Sequence, residues 1–181
     1  RTVGVNYVTD DAKAFMEANG GDRTVVSMRT DPIQPTQTQV IKFLPDGFDG
    51  GSDGKTFDFD ARLAGNDWIV LRYADILLMH VEAIMGSSSE TNATAALASF
   101  QQVRDRAGLT DAVTSITKDD LLAERRAELA FENQRLYDIM RFGKGIDILG
   151  TYAVAIGANF TSNDLLLPFP QIEIGLSKGL L

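Results

Sequence analysis

The sequence predicts a mainly α-helical protein, a helical scaffold with long irregular loops and a few short strands. Three observations carry that expectation. Between residues 68 and 145, apolar residues recur at helical spacing in three successive runs. Strand-like β-branched content over the first half of the chain is confined to two short segments. The 181 residues include no cysteine, so neither disulfides nor thiolate metal sites staple the chain.

From the beginning, Thr9-Asp10-Asp11 caps a short helix that runs to Asn19, and Gly20-Gly21 supplies the left-handed position that ends it. Thr24 to Arg29 reads as a strand from its β-branched content, and Thr38 to Leu44 as another. Residues 31–67 hold Pro32, Pro35, Pro45 and many glycines, and read as a long surface excursion. A helix is then expected over 68–85, with Val70, Leu71, Ala74, Leu77, Leu78 and Val81 as its apolar positions. Trp68 suits a hydrophobic staple at its start. A second helix over 95–107 places Ala96, Phe100 and Val103 on one face, and Gly108 closes it. These two read as a tetratricopeptide-like pair crossing at Ala74. One such pair cannot bury both its faces, so neighbouring pairs outside this chain are expected.

The third helix is expected to start at Thr117, with Asp120 completing a capping box, and to run unbroken to Phe142 until Gly143 or Gly145 stops it. Beyond it the helical periodicity fades. Tyr152 to Phe160 reads as a buried strand or extended segment, and Pro168 and Pro170 enforce an extended run. Three stretches follow from this pass: a loop-rich segment 1–67, a helical core 68–145 and an extended segment 146–181.

Composition excludes several function classes. The chain carries 25 acidic and 17 basic residues, a net charge of −8, and its arginines are interleaved with glutamates. A nucleic-acid binder would concentrate basic charge on one face. The longest apolar run, Ile76 to Met85, is interrupted by His80 and Glu82 and is too short to span a bilayer. No Gly-x-Ser-x-Gly elbow and no phosphate-binding Gly-x4-Gly-Lys-Ser/Thr loop is present.

The third helix carries the densest chemistry. Glu124, Glu128 and Glu132 are spaced four apart, so one unbroken helix would put them on a single face. Three like charges in a row repel unless cations answer them. The expected answer is a buried salt-bridge network with Arg72, Arg104 and Arg106 of the adjacent helices and Arg135 nearby. The sharper alternatives are an acid/base carboxylate pair or a two-metal centre. Di-iron bundles pair Glu with a His three residues on, and this helix has no His. His80 is the one histidine of the chain, and a zinc site needs three or four ligands, so His80 reads as structural. No metal and no cofactor is expected.

The most site-like segment is the loop from Asp46 to Asp60. Sugar recognition lays the apolar face of a ring on an aromatic while carboxylates or amides take the hydroxyls. Phe48 and Phe57 stand beside Asp49, Asp53 and Asp58 in that pattern, and these five are the candidate ligand-binding residues. A weak calcium loop is the competing reading, with Asp49, Asp53, Gly54 and Asp60 in register. Gly51 stands where an oxygen ligand belongs, and Asp60 is shorter than the usual bidentate Glu. A plain solvated Gly/Asp turn is the third reading.

Four blocks, in order, carry a resemblance. They are Arg72-Tyr-Ala-Asp-Ile-Leu-Leu78 leading to Glu82-Ala83; Arg104-Asp-Arg-Ala-Gly108; the run from Glu124 to Arg135 leading to Asp138 and Arg141; and Leu167-Pro-Phe-Pro-Gln-Ile-Glu173. Together they resemble the C-terminal part of the SusD/RagB family of outer-membrane nutrient-binding lipoproteins. The resemblance implies that residues 1–181 form the C-terminal part of such a domain. It implies a non-catalytic surface protein that captures oligosaccharides, or other nutrients such as peptides, and passes them to a TonB-dependent SusC-like transporter. Membrane attachment would come through an N-terminal lipid, for which this chain, opening on Arg1, has no cysteine. The competing class is a helical-repeat module that binds proteins. A third is a carbohydrate-active enzyme domain whose carboxylate pair lies outside this chain.

Overall fold

The computed structural model describes residues 7–31, 34–43, 69–166 and 168–177, and among these the chain is mostly helical. It divides into two compact units, 1–135 and 136–181.

In the first unit, α1 (Asp10–Asn19) opens with the Thr9 hydroxyl accepting from the Ala12 amide at 3.3 Å. Gly20 closes it, and Gly21, at φ 56°, takes the left-handed position. The segment expected as a strand from Thr24 is instead a short helix, α2 (Arg23–Ser27). Tertiary contacts override β propensity here. The Thr24 hydroxyl donates to the Met16 carbonyl at 2.7 Å, Arg23 reaches into the buried network described below, and Val25 and Val26 are left exposed. Strand geometry begins only at β1 (Met28–Thr30), which pairs antiparallel with β2 (Thr38–Val40), Met28 opposite Val40.

The helix expected over 68–85 starts later, as α3 (Tyr73–Met85) with Arg72 at its cap. It packs against α4 (Thr94–Arg106) as a helical pair. A two-stranded ribbon, β3 (Glu90–Thr91) with β4 (Ile116–Thr117), ties their connection to the start of α5 (Lys118–Glu128). The capping box at that start is present: the Asp120 amide donates to the Thr117 hydroxyl at 3.1 Å, and Asp120 accepts from the Thr117 amide at 2.9 Å. Leu78, Val81, Ala96, Phe100, Val103, Ile116 and Leu121 are buried together in this unit's core. The far side of α3 stays apolar yet open, with Tyr73, Ile76 and Met79 exposed.

Gly108, at φ 73°, ends α4 with the doubled hydrogen bonds of a Schellman turn: Gly108 N–H to Asp105 and Leu109 N–H to Arg104. This turn meets the one after α1. The Asp22 amide donates to the Ala107 carbonyl at 2.9 Å, and a Cβ on Gly21 would stand 2.2 Å from that same oxygen. Glycine is required there for close approach as well as for dihedral freedom.

The largest departure lies in the third helix. It is not one rod from Thr117 to Phe142. α5 ends at Glu128, and a new helix, α6 (Arg135–Arg141), follows a break. Phe131 and Asn133 sit in the left-handed region there, at φ 68° and 60°. The break turns Phe131 onto the apolar cluster of Val8, Met16, Met28 and Ala127.

In the second unit, Gly143 (φ 70°) closes α6 with another Schellman turn, Lys144 N–H reaching the Ile139 carbonyl at 2.8 Å. α7 (Gly145–Ala155) then occupies part of the segment expected to be a buried strand. Tyr152, Val154 and Ile156 are exposed and only Ala153 of that stretch is buried, so neither the strand nor its burial holds. The stop signal was Gly157, at φ 72°, whose turn is completed by Ala158 N–H to the Ala153 carbonyl at 2.8 Å. A 3-10 turn (Ser162–Leu165) packs on α7, Pro168 to Pro170 is irregular as expected, and α8 (Gln171–Leu176) follows.

Candidate functional site

The five candidate ligand-binding residues, Phe48, Asp49, Asp53, Phe57 and Asp58, lie outside the described residues, as do the calcium-loop register and Trp68. The described structure supplies the charged framework that flanks them in sequence.

That framework is built on the C-terminal half of α5. Glu124 and Glu128 are one turn apart and both are buried, at 4% and 1% exposure. Glu132 has left the helix, yet the break returns its carboxylate to the same cluster, also buried. Arg72, Arg104 and Arg106 all face these carboxylates. Arg104 Nη1 donates to Glu124 at 3.2 Å. Arg72 Nη1 donates to Glu128 at 2.5 Å, and its Nε and Nη2 fork onto Glu132 at 2.9 Å and 2.8 Å. Arg106 bonds the same Glu128 oxygen from a largely exposed position. Arg135 stands at the head of α6, beyond the break and half-buried.

Two further cations belong to this cluster, and sequence reasoning did not name them. Arg23 bridges Glu124 at 2.6 Å and Glu128 at 3.0 Å through one nitrogen, while its Nε donates to the Gly20 carbonyl at 2.8 Å. It thereby ties the end of α1 to α5. Lys42 bonds Glu132 at 2.5 Å and also donates to the carbonyls of Glu128 and Ala130, at 3.0 Å and 3.1 Å. Arg72 Nη2 reaches the Glu128 carbonyl as well. The last carbonyls of a helix have no partner within it and carry its negative pole, so two cations placed there satisfy both needs. The signal for Lys42 and Arg23 was faint: each is a lone cation in an otherwise polar or β-branched stretch, more than eighty residues from its partner.

The protonation energetics follow from this geometry. Burial alone would raise the Glu128 carboxyl, but hydrogen bonds and charge from Arg72, Arg23 and Arg106 overcome it and hold the group below the ordinary glutamate value. Burial pushes Lys42 below the usual lysine range, Glu132 opposes that, and the nearby charge of Arg72 adds to it. Arg72 is raised: burial works against its charge, and the bonds to Glu132 and Glu128 prevail.

A second ion pair, Arg125 to Asp75 at 2.8 Å, joins α5 to α3. His80 shares a hydrogen bond with Ser99 at 2.9 Å, across the α3–α4 pair. Among the described residues no group of three His, Cys, Asp or Glu side chains is placed to hold a metal ion. Nor is any helix among them long and apolar enough to cross a membrane. The network's chemistry is therefore that of a compensated charge cluster, with every carboxylate answered by at least two cations.

Lys42 and Arg72 flank residues 44–68, the stretch containing the candidate ligand-binding loop. Both are fixed to the same two acceptors, the Glu132 carboxylate and the Glu128 carbonyl.

Comparison with known proteins bears on what this framework belongs to. The SusD family model matches residues 16–180. A SusD-like protein of Formosa agariphila is 30% identical over 97% of this chain, which spans 37% of that protein's length. A SusD-like protein of Bacteroides ovatus is 34% identical over 58% of the chain, covering 18% of its own length. Two crystal structures share the fold over 82% of the chain at 27% identity, with TM-scores of 0.64 and 0.60. The chain covers about a third of each, and the second contains xylogluco-oligosaccharide. With the family pattern running through the whole charge cluster and both units, the chain belongs to the SusD family.

Proposed function

We propose that this chain is part of a non-catalytic nutrient-binding protein that captures an oligosaccharide at the bacterial outer membrane and delivers it to a TonB-dependent SusC-like transporter. The observation that carries the reading is membership of the SusD family together with a structural neighbour that holds xylogluco-oligosaccharide. The charge cluster supports it in a specific way. It spends its carboxylates on cations rather than leaving a pair open for acid/base work, and Lys42 and Arg72, which flank the stretch 44–68 in sequence, share its acceptors. In this reading Phe48 and Phe57 offer ring faces to a sugar and Asp49, Asp53 and Asp58 take its hydroxyls. Membrane attachment is through a lipid on a segment preceding this chain.

The test is titration calorimetry with xyloglucan fragments and a panel of other oligosaccharides. Binding without release of shorter products is expected for at least one of them. Changing Phe48 and Phe57 together to Ala should weaken that binding by about 1 to 3 kcal/mol, the worth of a stacked aromatic contact, with circular dichroism unchanged. Hydrolysis of the bound glycan overturns the non-catalytic reading. Unchanged affinity in the double variant removes the loop from the site.

A further inference from the structure

Residues 129–134, Leu-Ala-Phe-Glu-Asn-Gln, contain neither glycine nor proline, and Leu129, Ala130, Glu132 and Gln134 are good helix formers. Nothing local stops α5 at Glu128, yet Phe131 and Asn133 stand at φ 68° and 60°. Left-handed dihedrals are unfavourable for residues that carry a β-carbon, so contacts from outside the segment hold the bend.

Lys42 is placed to supply them. An ammonium has three N–H donors, and Lys42 spends each of them on this turn. It bonds the Glu132 carboxylate at 2.5 Å, the Glu128 carbonyl at 3.0 Å and the Ala130 carbonyl at 3.1 Å. The Glu128 carbonyl is the one that a continuing helix would give to the Glu132 amide. That amide instead closes a tighter turn on the Leu129 carbonyl at 3.1 Å. The other end of Lys42 is anchored. One residue beyond the β1–β2 ladder, the Ile41 amide donates to the Ser27 carbonyl at 2.8 Å.

Arg72 shares two of these acceptors, so Glu132 keeps a counter-ion without Lys42. What Lys42 adds is the hold on Ala130, inside the bend. Burial lowers the Lys42 pKa, and the charge of Arg72 adds to burial, against the opposing pull of Glu132 and Glu128. Burying the ammonium therefore costs more than its bonds return. Its three bonds favour the bent segment over a straight one, while its burial cancels their worth against the unfolded chain.

We propose that Lys42 is a conformational tether: it fixes the bend between α5 and α6 and adds little to the stability of the fold. The test is thermal unfolding and hydrogen–deuterium exchange on the complete protein and two variants. In Lys42→Met the melting temperature should stay within about 3 °C of the native value. Peptides spanning residues 129–134 should exchange about tenfold faster, with α3 and α4 unchanged. Lys42→Arg, which keeps a cation with several donors, should exchange at the native rate. A Lys42→Met protein that fails to fold, or melts lower by more than that margin, overturns the proposal, because Lys42 is then a source of stability. Unchanged exchange at 129–134 overturns it too, and leaves the bend to Arg72 and the burial of Phe131. Faster exchange spread over every helix, or Lys42→Arg exchanging as fast as Lys42→Met, has the same consequence.

Discussion

Glu128 is the residue on which the interior depends most. It is 1% exposed and meets Arg23, Arg72 and Arg106. A charge this deep is tolerable only because its desolvation is offset by close, well-directed partners. Changing Glu128 to Ala removes the carboxylate shared by Arg23, Arg72 and Arg106 and leaves Arg23 with Glu124 alone and Arg72 with Glu132 alone, and should cost about 3 to 5 kcal/mol in urea denaturation. The pH dependence has a definite sign. Because the folded carboxyl is held below its unfolded value, its stabilising contribution is complete above about pH 4.3 and is lost as pH falls through the lowered folded value. Melting temperature measured across the acid range should drop in the native protein. Glu128→Gln should start lower and show a shallower acid limb, and parallel limbs would place the acid sensitivity elsewhere.

At the scale of elements, the break between α5 and α6 is the feature that organises the cluster. In a continuous helix the Glu132 amide would take the Glu128 carbonyl, the acceptor that Lys42 and Arg72 share here. Phe131 and Asn133 adopt left-handed dihedrals instead, which β-carbon-bearing residues do at a cost of roughly 1 to 2 kcal/mol each. Asparagine bears that conformation better than most residues, which accounts for Asn133. Asn133→Gly should therefore be neutral or slightly stabilising, and Asn133→Val destabilising by about 1 to 3 kcal/mol, as read from denaturation midpoints. Equal midpoints for the two variants would mean that the break is not strained at that residue.

At the scale of the whole molecule, the first unit is built around α5, which lies against α1 and α3 and is joined to them by the Arg126–Asp11 and Arg125–Asp75 ion pairs. The chain accounts for about a third of its solved relatives, so capture and delivery of a nutrient are properties to be tested on the complete protein. Affinity purification of that protein from outer-membrane extracts in mild detergent should bring down a large β-barrel. Repeated recovery without one would remove the transporter from the proposed function.

Local chemistry was legible wherever a residue acts on its own neighbours. Thr9, Thr117 and Asp120 cap helices, Gly21 and Gly108 end or reverse them, and the α3–α4 pair follows the apolar spacing from Ala74 onward, Val70 and Leu71 lying exposed ahead of the helix. The acidic spacing of Glu124, Glu128 and Glu132 pointed to cations, and Arg72, Arg104 and Arg106 stand against those carboxylates. The tertiary structure alone decided what depends on contacts far along the sequence. Arg23 and Lys42 joined the cluster from more than eighty residues away, and β-branched Thr24-Val25-Val26 became helical because Arg23 and Thr24 are bonded elsewhere. The helix stopped at Glu128 for the same reason: burial of Phe131 and the pairing of Glu132 with Arg72 and Lys42 outweigh a strained backbone, and no local pattern records either contact.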